Sequence, residues 1–170
     1  DFHLVVMPSD PADEVTALRS LATSGYVDGL CLAYIRENDQ RIELMESFGL
    51  PFIVHGRFFD APHAYPSLDV DNEAAFYDAT RLLLQLGHRR IALINGDENF
   101  GFAIRRRDGV AKACREAGLA LEPRFHVSTQ MTEADGQRAA ERFLALAETP
   151  SAIVCSSMIQ ALGIVRAIEA

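Results

Sequence analysis

No apolar run in this chain approaches the roughly 18 residues of a membrane span. Positive charge is also scarce: 16 Lys and Arg stand against 24 Asp and Glu, a net charge of −8. Binding along a phosphate backbone needs a clustered positive field, so the balance argues against a general nucleic-acid surface. There are only three cysteines, Cys31, Cys114 and Cys155, each in an apolar setting (GLCLA, AKACREA, AIVCSS). They read as reduced core thiols. No CxxC pair and no His cluster at ligand spacing is present, which argues against a structural metal or cofactor. Also missing are a GxGxxG after a strand, a GxxxxGK[ST], an HExxH and a GxSxG, so the usual nucleotide, zinc-protease and hydrolase signatures are absent. The first residue is Asp1 rather than methionine, so the lack of a signal peptide carries little weight.

What is present is a globular composition, 49% apolar and 24% charged over 170 residues, enough for one good core or two small ones. Short β-type runs recur: FHLVVM (2–7), GLCLAY (29–34), PFIVHG (51–56), RIALING (90–96), FHVST (125–129) and SAIVCSS (151–157). They are nearly continuous in apolar residues, as in parallel strands covered on both faces. Helix-period segments separate them. Val15, Leu18, Leu21 and Ala22 share one face, and Ile42, Leu44, Met45 and Phe48 another. A long segment from Glu73 to Leu86 stops at Gly87. Ala139, Phe143, Leu146 and Ala147 mark a fourth, ended by Pro150, and Met158 to Ala170 reads as a last helix. Alternating β and α predicts βαβ units and doubly wound parallel sheets. The Gly87–Arg90 turn is the best candidate boundary, giving two halves, 1–87 and 88–170.

The stretch GHRRIALINGDENFGFAIRRRDG (87–109) concentrates arginines around one apolar run. His88, Arg89 and Arg90 follow a helix C-terminus, where cations suit the macrodipole and local structural work is the expectation. Arg105, Arg106 and Arg107 are different. With a loop over Gly96 to Ala103 they fall near a helix N-terminus, where positive charge is unfavourable. That position, beyond the carboxyl end of a strand, is also where open α/β sheets bind ligands. A guanidinium fork there suits carboxylate, phosphate or paired hydroxyls. The competing reading pairs these arginines with Asp97, Glu98 and Asp108. Asp69, Asp71 and Glu73 are acidic enough to suggest Mg²⁺, but an Asp or Asn directly before a helix is an ordinary N-cap.

The segment LDVDNEAAFYDATRLLLQLGHRRIALINGDENFGFAIRRRDGVAKACREAGL (68–119) resembles the effector-binding core of LacI/GalR-type transcriptional regulators. It carries Asp71-Asn72 before a long helix, Gly87-His88-Arg89 before a strand, and Arg106-Arg107-Asp108-Gly109 opening the next helix. GYVDGLCLA, GLPFIVHGR and TPSAIVCSSMIQALG extend the likeness over essentially the whole chain. The resemblance implies a periplasmic-binding-protein-like α/β fold of two doubly wound lobes, incomplete at both ends, closing on a small effector, most often a sugar. It also implies a cytoplasmic homodimer that meets operator DNA only through a separate N-terminal helix-turn-helix domain. On that pattern the 170 residues are a piece of a longer regulator.

Residue by residue, Arg106 matches the arginine that clamps sugar hydroxyls or purine in family members. Phe100 and Phe102 match ligand-contacting loop positions. Met131 stands where members often carry a stacking aromatic, and Ser157 where an asparagine commonly contacts the ligand, with Met158 in place of the following aspartate. Phe100 and Phe102 are candidates for the apolar face that Met131 does not supply. Tyr34, with Gly56-Arg57, is expected on the first lobe's rim. Two other readings stand beside this one. The first is a periplasmic solute-binding protein of a sugar transporter. The second is an α/β enzyme on a sugar or nucleotide, for which the chain shows no nucleophile–base pair.

Overall fold

The computed structural model describes residues 3–7, 10, 12–58 and 64–170. The chain forms two compact units, residues 1–68 and 69–170. The Gly87 turn, the boundary expected from sequence, lies inside the second unit, because the long helix before it packs along the next helix in the chain.

In the first unit a helix α1 (Glu14–Thr23) precedes β1 (Leu30–Leu32), α2 (Gln40–Ser47), β2 (Phe52–His55) and β3 (Ser67–Leu68). The sheet is parallel, in the order β1-β2-β3. Leu30, Leu32, Ile35, Ile42, Met45 and Val54 form its core, with Leu18, Leu21 and Ala22 of α1 and Phe48 packed against it. Of the predicted faces, Ile42 and Met45 are buried and Leu18, Leu21, Ala22 and Phe48 half-buried, whereas Val15 is exposed. Two expectations fail here. Residues 3–7 of the expected strand FHLVVM pair with nothing among the described residues, and Leu4 and Val6 are exposed; Phe2 lies outside the described residues. An apolar run becomes a strand only where a neighbour accepts its backbone hydrogen bonds. Cys31 is exposed rather than a core thiol, because the two-residue period of β1 turns Leu30 and Leu32 inward and Cys31 to the opposite face.

The second unit runs α3 (Asn72–Gln85), β4 (Ile91–Asn95), α4 (Gly101–Glu116), a single 3-10 turn (Pro123–Phe125), β5 (His126–Ser128), α5 (Glu133–Leu144), β6 (Ala152–Cys155) and α6 (Met158–Glu169). Its sheet is parallel in the order β5-β4-β6, with β4 central. All five residues of β4 are buried, as a strand covered on both faces requires. Its alternation divides two cores. Ile91 and Leu93 pack with Val110, Cys114 and residues of α3, whereas Ala92 and Ile94 pack with Phe125, Ala139, Ala140, Phe143 and Ile164.

Helix ends follow from local chemistry. Asp71 accepts from Ala74 N at 2.9 Å and so caps α3, which settles the acidic cluster's first duty as capping. At the other end Gly87 takes φ +94°, and His88 N donates to Leu83 O, closing the helix in a left-handed turn that favours glycine. His88 Nδ1 then lies 3.1 Å from Ser151 Oγ, and Arg90 Nε donates to Thr149 O, so these two side chains fasten the turn to the start of β6. α4 begins at Gly101, two residues before the predicted end of the loop, after a Phe100 that offers no side-chain cap. Arg105 to Arg107 consequently sit in the second turn, where the dipole penalty has largely faded.

The helix pairs meet backbone to backbone. A Cβ at Gly109 of α4 would press into Glu73 O and stand 2.9 Å from Tyr77 N of α3. Gly136 of α5 and Gly163 of α6 abut Gln160 and Glu133 carbonyls in the same way. No helix among the described residues is long and apolar enough to cross a membrane.

Candidate functional site

The carboxyl ends of β4, β5 and β6 are bound together by one buried asparagine. Asn95 is the last residue of β4 and is fully buried. Its Nδ2 donates to Ala103 O at 2.8 Å and to Glu98 Oε1 at 2.9 Å, and its Oδ1 accepts from Ser156 Oγ at 2.7 Å. Its carbonyl accepts from Thr129 Oγ1 and from Gln160 Nε2, a second fully buried amide. Every side-chain polar atom of Asn95 therefore has a partner, and the three loops leaving the sheet are held in fixed relation.

Four of the expected ligand residues gather on this frame. Phe100 and Phe102 stand nearly parallel, with ring centroids 5.9 Å apart. A Cβ at Gly96 would come within 3.0 Å of both Phe102 Cε2 and Met131 Sδ, so those two side chains meet above the glycine that follows Asn95. Met131 holds a left-handed backbone at φ +59° in the turn leading to α5. Arg106 lies with its guanidinium 4.9 Å from the Phe102 ring centroid and 5.1 Å from that of Phe76. Its Nε donates to Asn72 Oδ1 at 2.8 Å and its Nη1 to Ser156 O at 2.9 Å. Nη2 makes no hydrogen bond to a described residue. Burial pushes the Arg106 pKa down, and the nearby Asp69 charge pulls it partly back.

Arg107 behaves as the competing reading required, and Arg105 pairs with an acid that reading did not name. Arg105 pairs with Glu73 at 3.0 Å, and Arg107 with Glu98 at 2.8 Å and Asp108 at 2.9 Å. Arg106 instead hydrogen-bonds to neutral partners, Asn72 Oδ1 and Ser156 O. The side chain of Glu98 also lies 2.6 Å from His126 Nε2. Burial would raise its pKa, but the Asn95 amide and the charges of His126 and Arg107 outweigh this and leave it below the ordinary carboxylate value.

Ser157 caps α6, its hydroxyl accepting from Gln160 N at 3.2 Å, and is adjacent to the Ser156 carbonyl that receives Arg106. Tyr34 belongs to the first unit. It is half exposed, holds φ +57°, and its carbonyl accepts from the buried Arg41 at 2.9 Å. The sequence reading missed Asn95, Gln160, Phe76 and the side-chain role of Asn72. Only the Asp-Asn doublet before α3 carried a signal, and it pointed to capping.

A three-stranded parallel sheet with helices on both faces is an α/β unit of the periplasmic-binding-protein-like type, in which ligands are bound beyond the carboxyl ends of the strands. Over residues 1–170 the chain matches the family described as periplasmic binding proteins and sugar binding domain of LacI family, and it belongs to that family. It is 52% identical over 99% of its length to the HTH-type transcriptional regulator AglR of Rhizobium meliloti (strain 1021), covering 48% of that protein. Among solved structures it resembles a putative transcriptional regulator from Yersinia pestis biovar Microtus str. 91001 (TM-score 0.84, 30% identity, 97% of this chain and 59% of that one). It is also similar to the regulator CelR in complex with cellobiose (TM-score 0.83, 25% identity, 94% and 49%). The chain spans about half the length of AglR and of CelR.

Proposed function

We propose that this chain is the effector-binding core of a bacterial transcriptional regulator, not an enzyme, and that it senses a small polar ligand, a sugar, through Arg106. One observation carries the reading. Arg106 is half-buried between two aromatic rings, fixed by neutral partners on Nε and Nη1, and retains donors for an incoming oxygen. A charge held by neutral partners beyond strand ends, with N–H groups left to donate, suits paired hydroxyls. Phe100, Phe102 and Met131 supply an apolar wall beside it, fitting the flat face of a pyranose ring. Ser157 and Tyr34 are the remaining proposed contacts. The cellobiose held by CelR supports a sugar as the ligand class.

In this reading the two units are parts of the two lobes of the core. Operator DNA is met by a helix-turn-helix domain elsewhere in the full-length protein, as the descriptions of its relatives suggest. The regulator works as a homodimer in the cytoplasm, where its DNA is, and ligand shifts the balance between DNA-binding and released forms. The test is a thermal-shift screen of the full-length protein against sucrose, maltose, cellobiose, lactose, melibiose and a set of nucleosides. A sugar at 100 times its Kd adds about 2.7 kcal/mol of stability. A rise with nucleosides alone would replace the sugar assignment, and a flat response to all would remove the binding role from this site.

A further inference from the structure

Asn72 is 4% exposed, and its side chain is not needed to cap α3, because Asp71 does that. Every polar atom of the Asn72 amide is engaged nonetheless. Oδ1 accepts from Arg106 Nε at 2.8 Å, while Nδ2 donates to Asp69 Oδ1 and to Val70 O, both at 3.1 Å. Asp69 and Val70 are the first residues of the second unit, directly after β3 closes the first. One amide thus joins the proposed ligand arginine to the backbone of the segment that connects the two units.

The chemistry of this residue is specific. A primary amide accepts at one end and donates twice at the other, and both directions are used. Aspartate would still accept from Arg106 but would face the Asp69 carboxylate with no proton to give. It would also neutralise the one arginine of three that is not already paired with an acid. The neutral amide holds Arg106 by its Nε side and leaves its charge for the ligand.

We propose that Asn72 is a positioning residue. It sets the orientation of Arg106, preserves its charge for the effector, and couples movements of that guanidinium to segment 69–71. The ligand part of this proposal rests on Arg106 facing the effector; the positioning part does not.

The experiment therefore has two arms, both on the full-length regulator. The first records arginine Nε–H signals by ¹⁵N NMR without ligand, the Arg106 signal being assigned by its loss in R106K. In the wild type it exchanges with water about tenfold more slowly than exposed arginines, as a buried, bonded N–H should. In N72A it joins the exposed group. An Arg106 signal that exchanges freely in the wild type, or is unmoved in N72A, overturns the positioning role. The second arm titrates whichever of sucrose, maltose, cellobiose, lactose or melibiose the wild type binds. N72A weakens binding about tenfold, the scale of one interaction of about 1.4 kcal/mol. N72D keeps the protected Arg106 signal yet also loses affinity, and it carries the test if N72A does not fold. Unchanged affinity in a folded N72D overturns the charge argument. If no sugar binds the wild type, the sugar reading fails while the first arm still decides the role of Asn72.

Discussion

His126 Nε2 lies 2.6 Å from Glu98 Oε1, so the first residue of β5 grips the loop that follows β4. Asn95 and Arg107 hold the same carboxylate. Its folded pKa is lowered, so its contribution to stability is present above the unfolded value near 4.5 and disappears as pH falls through the lower, folded one. Urea midpoints measured from pH 7 to pH 3 should fall in the wild type. Glu98→Gln should start lower at pH 7 and fall less steeply. Parallel curves for the two proteins would remove Glu98 from the acid response.

Arg106→Ala removes the donors assigned to the ligand. Effector affinity should drop by about 1.5–3 kcal/mol, the range for a hydrogen bond to a charged group. Arg107→Ala, which breaks a half-exposed pair, should change affinity little. Titration calorimetry of both variants checks the contrast. Equal losses would show that general positive charge, not the placement of Arg106, attracts the ligand.

Asp71 serves α3 as its cap. Asp71→Ala should cost about 1 kcal/mol of stability. Adding Mg²⁺ to the wild type should leave its melting temperature unchanged. A magnesium-dependent rise abolished in the variant would restore the metal reading of this acidic segment.

The three thiols should separate in a native Ellman titration. Burial raises the pKa of Cys114 and of Cys155, which lowers their thiolate fraction at neutral pH. Cys31 is exposed among the described residues and should react first. Cys114, 2% exposed, should react only on unfolding. Rapid reaction of Cys114 in the native protein would mean that the α4 core opens readily.

Gly109 leaves no room for a side chain against α3. Gly109→Ala should destabilise by about 1–3 kcal/mol through overpacking, which a urea titration measures. A neutral effect would mean that α3 and α4 separate without cost.

Much of the second unit was readable from local pattern. β4 announces itself in the continuous run Ile91–Ile94 because it is covered on both faces, and the buried face of α5 at Ala139 and Phe143 follows from its spacing. The family likeness was carried by Asp71-Asn72, Gly87-His88-Arg89 and Arg106-x-x-Gly109. What stayed hidden is non-local. Residues 3–7 are as apolar as β4, yet whether they pair depends on a neighbour that no local pattern supplies. β3 is two residues long and has no period to detect. The fates of Arg105 and Arg106 were decided by Glu73 and Asn72, 32 and 34 positions earlier, so no window around the arginines contains the answer. Local pattern placed the start of α4 late, because Phe100 gives none of the usual capping signals.

The glycine contacts between helices bear on how this unit responds when pushed. Gly109 seats α4 directly on the backbone of α3, and Gly136 with Gly163 seats α5 on α6. Side chains can slide past one another by changing rotamer, but main chains in contact have no such slack. Each pair is therefore a stiff plate, one on either face of β4. Contacts of this kind leave α4 little room to shift along α3, so a displacement at the start of α4 is expected to carry the α3–α4 pair with it, through the positions where the chain has its smallest residues.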